Sequence, residues 1–260
     1  MITTFTANGV DLDDNPMGTH LLDSSSPRAG IERRVTTASR GRRDGNKAVA
    51  SSNESPVLAL VVRVPQASED AFLALMDSAS LTLGHRGWVA QVELLGASPA
   101  LGFNFTDYTC TFRFPDMFWR DPADTTTAAL AIASASVTAD IFADISAPIR
   151  DGMVRIKGGI TNPRFTDSGG SFFQYTGVVP AGSWLRYEMA TGRAFTTTTD
   201  VWVGGTQVTA AITNGPSVYP LELVPVFTDP LTRSARFVLS STARTGTATV
   251  EVRGKRAFRV

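Results

Sequence analysis

The chain has one cysteine, Cys110, in 260 residues. That excludes an intrachain disulfide framework and any cysteine-rich zinc site. Histidine is almost as scarce: His20 and His85 leave little for a His-rich metal site. Lysine is rare as well, with only Lys47, Lys157 and Lys255 among 24 basic residues. There is no excess of charge, because 24 acidic residues balance them. Binding to nucleic acid through bulk charge is therefore not expected. No run approaches the roughly 18 apolar residues of a membrane-spanning helix. Met1-Ile2-Thr3-Thr4-Phe5 has no basic segment ahead of an apolar one, so no signal peptide is expected.

Recognisable chemistry is sparse too. There is no G-x-S-x-G elbow, and neither histidine sits in a catalytic motif. His20 and His85, the latter in Gly84-His85-Arg86-Gly87, read as loop residues. Cys110 lies in an aromatic strand and reads as a small buried hydrophobe. Asp11-Leu12-Asp13-Asp14-Asn15 lacks the glycine and terminal glutamate of a calcium loop. Gly41-Arg42-Arg43-Asp44-Gly45-Asn46-Lys47 lacks phosphate-loop spacing and reads as a loop or hairpin carrying arginines. The expectation is a protein that is not an enzyme and needs no metal or cofactor. Asn53-Glu54-Ser55 and Asn104-Phe105-Thr106 match glycosylation sequons but have no signal peptide to deliver them.

What is present is a β-rich composition. Hydrophobic residues make up 43% and charged residues 18%, enough for a packed core. Ser, Thr, Gly and Val favour strands, and the fold class is all-β with one helix. The helix is expected over about Ser68 to Ser80, with Ser68 as its cap and Phe72, Leu75, Met76 and Ala79 on one face. Val57 to Val64, Trp88 to Leu95 and Phe103 to Phe114 read as strands. In the last, Phe103 and Phe105 differ in parity from Tyr108, Cys110, Phe112 and Phe114, which predicts a bulge near Thr106-Asp107.

Two prolines, three aspartates and a threonine run then mark a linker near 121–130, dividing the chain into domains 1–125 and 126–260. Short strands follow: Met153 to Lys157, Phe172 to Tyr175, Trp184 to Met189, Val201 to Val203, Leu221 to Val224, Ala235 to Leu239 and Thr247 to Val252. Glycine-rich turns between them indicate a β-sandwich or barrel, with a tight hairpin at Gly204-Gly205. Trp184, Trp202, Tyr187 and Tyr175 read either as sandwich core or as a sugar-stacking platform.

Zero net charge hides blocks of opposite sign. Between Ser24 and Asn53, Arg28, Arg33, Arg34, Arg40, Arg42, Arg43 and Lys47 face only Glu32 and Asp44, a local charge of about +5. Asp116, Asp121, Asp124, Asp140, Asp144 and Asp151 form an acidic block around the linker, offset by Arg120 and Arg150.

The order of features resembles the siphophage distal tail proteins, the Dit family. Phe-Thr-Ala-Asn-Gly-Val-Asp-Leu at Phe5 to Leu12 is similar to that family's opening strand and Asn-Gly turn. Gly41-Arg42-Arg43-Asp44-Gly45 looks like its basic "G-R-D-G" loop with one extra arginine. Phe112-Arg113-Phe114-Pro115-Asp116-Met117-Phe118-Trp119 resembles the aromatic strand that ends its first domain. Val154 to Gly158 with Thr161-Asn162-Pro163, Tyr175-Thr176-Gly177 with Pro180 to Leu185, Leu223-Val224-Pro225, and Arg253 to Arg256 resemble its second half. The segment 24–53 is longer and richer in Ser and Arg than the family pattern.

The resemblance implies a structural virion protein of the tail tip, assembled in the host cytoplasm. It implies an N-terminal ring-forming β-sandwich with one helix and a C-terminal galectin-like, carbohydrate-module-like sandwich. It further implies a hexameric ring joining the tail tube protein to the hub, with DNA passing non-specifically through the lumen. The expected interface for the neighbouring subunit or the tube is Arg33, Arg34, Arg40, Arg42, Arg43, Asp44 and Lys47. The competing reading is a carbohydrate-binding sandwich that meets a surface glycan through its C-terminal domain. A stand-alone sugar binder has no need of the helix-bearing first domain.

Overall fold

The computed structural model describes residues 5–24, 33–39, 46–53, 55–216, 221–246 and 248–259. The chain forms two compact units, Met1–Arg120 with Arg259–Val260, and Asp121–Phe258.

The first unit is built on strand alternation. One sheet contains, in order, Val10–Asp11, Phe5–Ala7, Thr82–His85, Trp88–Gln91 and Phe118–Arg120. A second has four, in the order His20–Ser24, Val57–Pro65, Phe105–Arg113 and Glu93–Leu101. In the second sheet every other side chain is buried: Leu58, Leu60, Val62 and Val64 on one strand, and Tyr108, Cys110 and Phe112 on its partner. Period-2 patterning of this kind fixes register, because a slip of one residue would turn the buried set to solvent.

Two hairpins in the first unit follow from their turn residues. Asn8 and Gly9 both take positive φ, 48° and 81°, between paired Ala7 and Val10. That is the geometry two-residue hairpins require, and Asn-Gly supplies it at low cost. The Asn8 side chain also accepts the Thr82 N–H at 2.8 Å, tying the turn to the next strand. Arg86 and Gly87 make the same kind of turn, at 52° and 83°.

The aromatic strand alternates without interruption from Phe105 to Arg113. The predicted bulge at Thr106-Asp107 is absent; the register shift lies between Thr111 and Phe112, against Glu93–Leu101. Phe105 differs in parity because it belongs to the outer face, where the Arg63 guanidinium lies 3.9 Å from its ring. His85 is likewise not a loop residue. It ends a strand and is buried between the rings of Phe5, at 4.3 Å, and Trp119, at 5.9 Å.

The helix is shorter than its sequence pattern. It spans Glu69–Met76, after a 3-10 turn Gln66–Ser68. Ser68 is its N-cap position, but its side chain makes no capping hydrogen bond. Phe72 and Met76 are buried, whereas Ala79 lies beyond the helix and is exposed. Phe72 packs on Tyr108 at 5.5 Å, and the Tyr108 hydroxyl donates to Glu69 at 2.8 Å. The helix thereby covers one end of the buried face of the four-stranded sheet.

The second unit is a β-sandwich. One sheet contains Thr125–Thr126, Thr249–Gly254, Met153–Lys157, Trp184–Glu188, Ala194–Thr197 and Thr206–Gln207 in that order, with Leu130–Ala131 also on Thr249–Gly254. The other contains Ser136–Ile141, Arg233–Ser240, Arg164–Asp167, Phe172–Tyr175 and Ile212–Gly215, with Pro225–Phe227 also on Arg233–Ser240. Ile160–Thr161, Val178–Val179 and Ala243–Arg244 form a small third sheet. A spine of aromatic rings crosses the core. Tyr187 stacks on Phe173 at 4.1 Å, Phe173 on Phe165 at 5.8 Å, and Phe165 on Phe237 at 4.5 Å. The Tyr187 hydroxyl donates to Asn214 Oδ1 at 2.6 Å, so its polar end is satisfied inside the core.

Two expected strands are absent. Val201 to Val203 lies in a loop, residues 198–205, between the paired strands Ala194–Thr197 and Thr206–Gln207. The hairpin is therefore wide rather than tight at Gly204-Gly205. Leu221 to Val224 contributes only a bridge, Leu223 to Ile149.

One buried carboxylate ties loops together in this unit. Asp167 accepts the Gly169 N–H at 2.6 Å and the Val224 N–H at 3.0 Å. Burial pushes its carboxyl up from 3.8 to about 6, and these N–H donors only partly offset that. The folded state therefore holds this proton more tightly than the unfolded chain does. The resulting stability is complete below pH about 4 and is lost as pH rises through about 6. In urea titrations, Asp167→Asn should remove this dependence. The stability of the parent relative to the variant should fall by about 2–3 kcal/mol between pH 4 and 7, because each tenfold difference in proton affinity is worth ~1.4 kcal/mol.

Candidate assembly surface

The residues expected to carry assembly fall mainly on one excursion of the chain. It leaves His20–Ser24 and returns at Val57–Pro65. Arg33–Ser39 and Asn46–Asn53 pair as an antiparallel hairpin, from Arg33 opposite Asn53 to Ser39 opposite Asn46. Arg33 and Arg34 lie on its first strand and Lys47 on its second. Arg28, Arg40, Arg42, Arg43 and Asp44 lie outside the described residues.

Beside this excursion is the four-stranded sheet, whose rims are His20–Ser24 and Glu93–Leu101. Among the described residues, neither rim strand pairs with a further strand. Glu93–Leu101 is nine residues long and mostly exposed, with Leu95 at 53% and Leu101 at 83%. Pro99 sits within it, a residue that strands tolerate chiefly at sheet edges. The turn that follows presents Phe103, 87% exposed, and Asn104 at a φ of +64°. Sequence reasoning missed this edge. Its only signal is Leu, Gly, Ala, Ser and Pro where a central strand would carry β-branched residues.

Between Val57 and Phe105 at its two ends, the outer face of the same sheet carries mainly small and polar residues. It carries Ala59, Val61 and Arg63 beside Asp107, Thr109 and Thr111. Four of its charges are paired: Arg63 with Asp107 through two bonds of 2.8 and 2.9 Å, and Arg113 with Glu93. The Arg63 guanidinium holds the Asp107 carboxyl below its ordinary value. These four ionised groups cancel one another locally.

The acidic block around the linker is not the free surface that counting along the chain suggests. Arg256 binds Asp121 at 2.7 Å, Arg253 binds Asp124 at 3.1 Å, and Arg236 binds Asp140 at 2.6 Å. Arg236 lowers the Asp140 carboxyl. Folding thus brings arginines from the last quarter of the chain onto three of the six aspartates. Among the described residues, no group of three or more His, Cys, Asp or Glu is placed to hold a metal. No helix among them is long and apolar enough to cross a membrane.

The four aromatic residues weighed as a sugar platform do not form one. Tyr187 belongs to the core. Trp184 lies on the outer face of its sheet, 5.8 Å from Lys157 Nζ, and Trp202 in the loop covers Arg155 at 4.4 Å. Tyr175 lines a separate cleft with Ser183 and Thr196 to Thr198.

No family model matches this sequence. No curated protein matches it either. Solved structures do match. The crystal structure of SPP1 Dit (gp 19.1), described as a paradigm of the hub adsorption apparatus in phages infecting Gram-positive hosts, superposes with a TM-score of 0.66. The match covers 98% of this chain and 99% of that one, at 13% identity. The fold is that of SPP1 Dit. A chain of the phage p2 baseplate in its activated conformation with Sr also matches, over 97% of this chain and 98% of that one, with 10% identity and a TM-score of 0.47. The Dit resemblance carried by short motifs thus extends to the fold of the whole chain.

Cys110 gives a direct check on the core of the four-stranded sheet. It is fully buried, and burial pushes its thiol up to about 12. A thiol reagent at pH 8 should leave it unmodified in the native protein and modify it within minutes in guanidinium. Rapid native labelling would contradict this packing.

Proposed function

We propose that the protein is a structural component of a siphophage tail tip. In this reading the first domain, 1–125, forms a hexameric ring between the tail tube protein and the hub, and DNA passes through its lumen. The second domain, 126–260, is a galectin-like sandwich on the ring. The protein then resides in the virion after assembly in the host cytoplasm, with no catalytic role. The supporting observation is the full-length likeness to SPP1 Dit, a hub protein, at a TM-score of 0.66.

The geometry of the first unit fits this reading. A head-to-tail ring needs two different patches on each subunit. The two rims of the four-stranded sheet, His20–Ser24 and Glu93–Leu101, are two such patches. Pairing one rim with the other on a neighbour satisfies the outward N–H and C=O groups and closes without further edges. The basic segment Arg33 to Lys47 supplies an electrostatic contact to an acidic surface on the neighbour or the tube. The outer face of the sheet, with Arg63 and Arg113 each paired to a carboxylate, suits a channel that DNA must cross without sticking.

Two variants test the contacts by sedimentation. Leu95→Lys with Leu101→Lys places charge on the exposed rim, where the effect on single-chain stability should stay within about 0.5 kcal/mol. The assembled fraction should fall at least tenfold. Arg42→Glu with Arg43→Glu should also weaken assembly, and more so at low salt than at high. Unchanged rings in both variants would overturn these contacts.

A further inference from the structure

The second unit carries an exposed apolar knob beyond one end of a strand and an apolar cleft beyond the other. The knob is the turn between Pro225–Phe227 and Arg233–Ser240, which pair as a hairpin. Leu231 at its tip is 93% exposed, and Phe227 at its base is 60% exposed. A lone exposed leucine is ordinary on a protein surface. This one is held in place. Asp229 Oδ1 accepts the N–H groups of Leu231 and Thr232, both at 2.8 Å. The Thr228 N–H donates to the Thr232 carbonyl at 3.1 Å. Pro230 lies between them with its φ fixed by its ring. The Arg233 guanidinium lies 4.3 Å from the Phe227 ring. An apolar tip that is already ordered loses little further freedom on binding, which favours association.

The cleft belongs to the small third sheet. Ile160, Val178, Val179 and Ala243 line it, and its volume is about 250 Å³, room for one branched aliphatic side chain. Ile160 and Val179 are buried, whereas Val178 is 58% exposed. Arg244 is the charged residue of that lining, and its Nη2 donates to the Ala133 carbonyl at 2.7 Å. Around the knob, Asp229 and Asp144 outnumber Arg233. The two N–H groups on Asp229 hold its carboxyl below the ordinary value, so it is ionised at neutral pH. Knob and cleft therefore differ in charge as well as in shape. They also lie at opposite ends of Arg233–Ser240, which begins two residues after Leu231 and ends three before Ala243. Eight extended residues hold them about 25 Å apart. The knob cannot reach the cleft of its own chain.

We propose that the second unit binds a second copy of this chain head to tail, with Leu231 of one copy seated in the cleft between Ile160, Val178 and Ala243 of the next and Asp229 facing Arg244. Phe227 and its stacked Arg233 then meet the exposed Val178. The occupant follows from the match. A foreign partner would need only one of the two patches. Two patches complementary in shape, polarity and charge, set at opposite ends of one strand, are what a repeating contact between identical subunits requires. The contact is separate from the ring proposed for the first domain and shares no residue with it. Either one can fail while the other stands.

Disulfide trapping in the full chain tests it. Cys110 is buried and stays out of the reaction. The chain carrying Leu231→Cys with Ala243→Cys should give, under mild oxidation, a ladder of two, three and more linked chains on a non-reducing gel. The two sites are too far apart to close a disulfide within one chain. Each single variant should stay unlinked, and an equal mixture of the two should stop at dimers. Adding Arg244→Glu to the double variant should slow linking at least tenfold at low salt. Dimers of Leu231→Cys alone would mean that knob meets knob and would overturn the head-to-tail contact. An unchanged rate with Arg244→Glu would overturn the pairing with Asp229. Rings without a ladder would overturn the proposal and leave the first-domain ring standing. A ladder without rings would support the proposal and count against that ring. A chain showing neither would overturn both.

Discussion

A nine-residue strand at the rim of a sheet leaves a row of backbone N–H and C=O groups facing outward, and much of the first unit is organised around that fact. The strand Glu93–Leu101 cannot be pulled inward, because its neighbour Phe105–Arg113 already spends its other side on Val57–Pro65. It is not shielded by bulky side chains either, since Leu101 and Phe103 stand exposed at its end. Sheets with long exposed rims invite pairing with another chain. In a protein that works alone this is a liability. In the proposed ring it becomes the means of assembly.

The second unit solves a different problem. Its core depends on stacked rings, with Tyr187 from one sheet meeting Phe173 from the other at 4.1 Å. Its outer face is ordered by charge. Arginines late in the unit bind aspartates near the start of the unit, as in Arg256 with Asp121 and Arg236 with Asp140. Most of these pairs are partly exposed and worth little individually. Arg155 and Arg186 stand apart because both are buried and, among the described residues, only the first has a partner on every guanidinium nitrogen.

Much of the fold was legible in the sequence where local pattern and tertiary burial agree. Alternation in Val57–Pro65 and the Asn8-Gly9 turn are such cases, since the period of 2 and the positive φ are local properties. The errors share one cause, a local pattern overruled by a distant partner. Phe105 looked like a change of register but belongs to the outer face, with Arg63. Val201-Trp202-Val203 has the composition of a strand, but Trp202 is held over Arg155 instead. His85 looked like a turn residue and is packed between Phe5 and Trp119. The acidic block and its arginines are separated by about a hundred residues, so no window along the chain could pair them. The exposed rim was hidden for the opposite reason, because unremarkable residues define it by what fails to cover it.

The measurement that bears most directly on this account is the solution mass of the purified chain by light scattering, with negative-stain images of the same peak. The account predicts a particle of about six times 27.7 kDa, seen as rings with a central hole. A strict monomer at high concentration, both alone and when mixed with tail tubes, would contradict it.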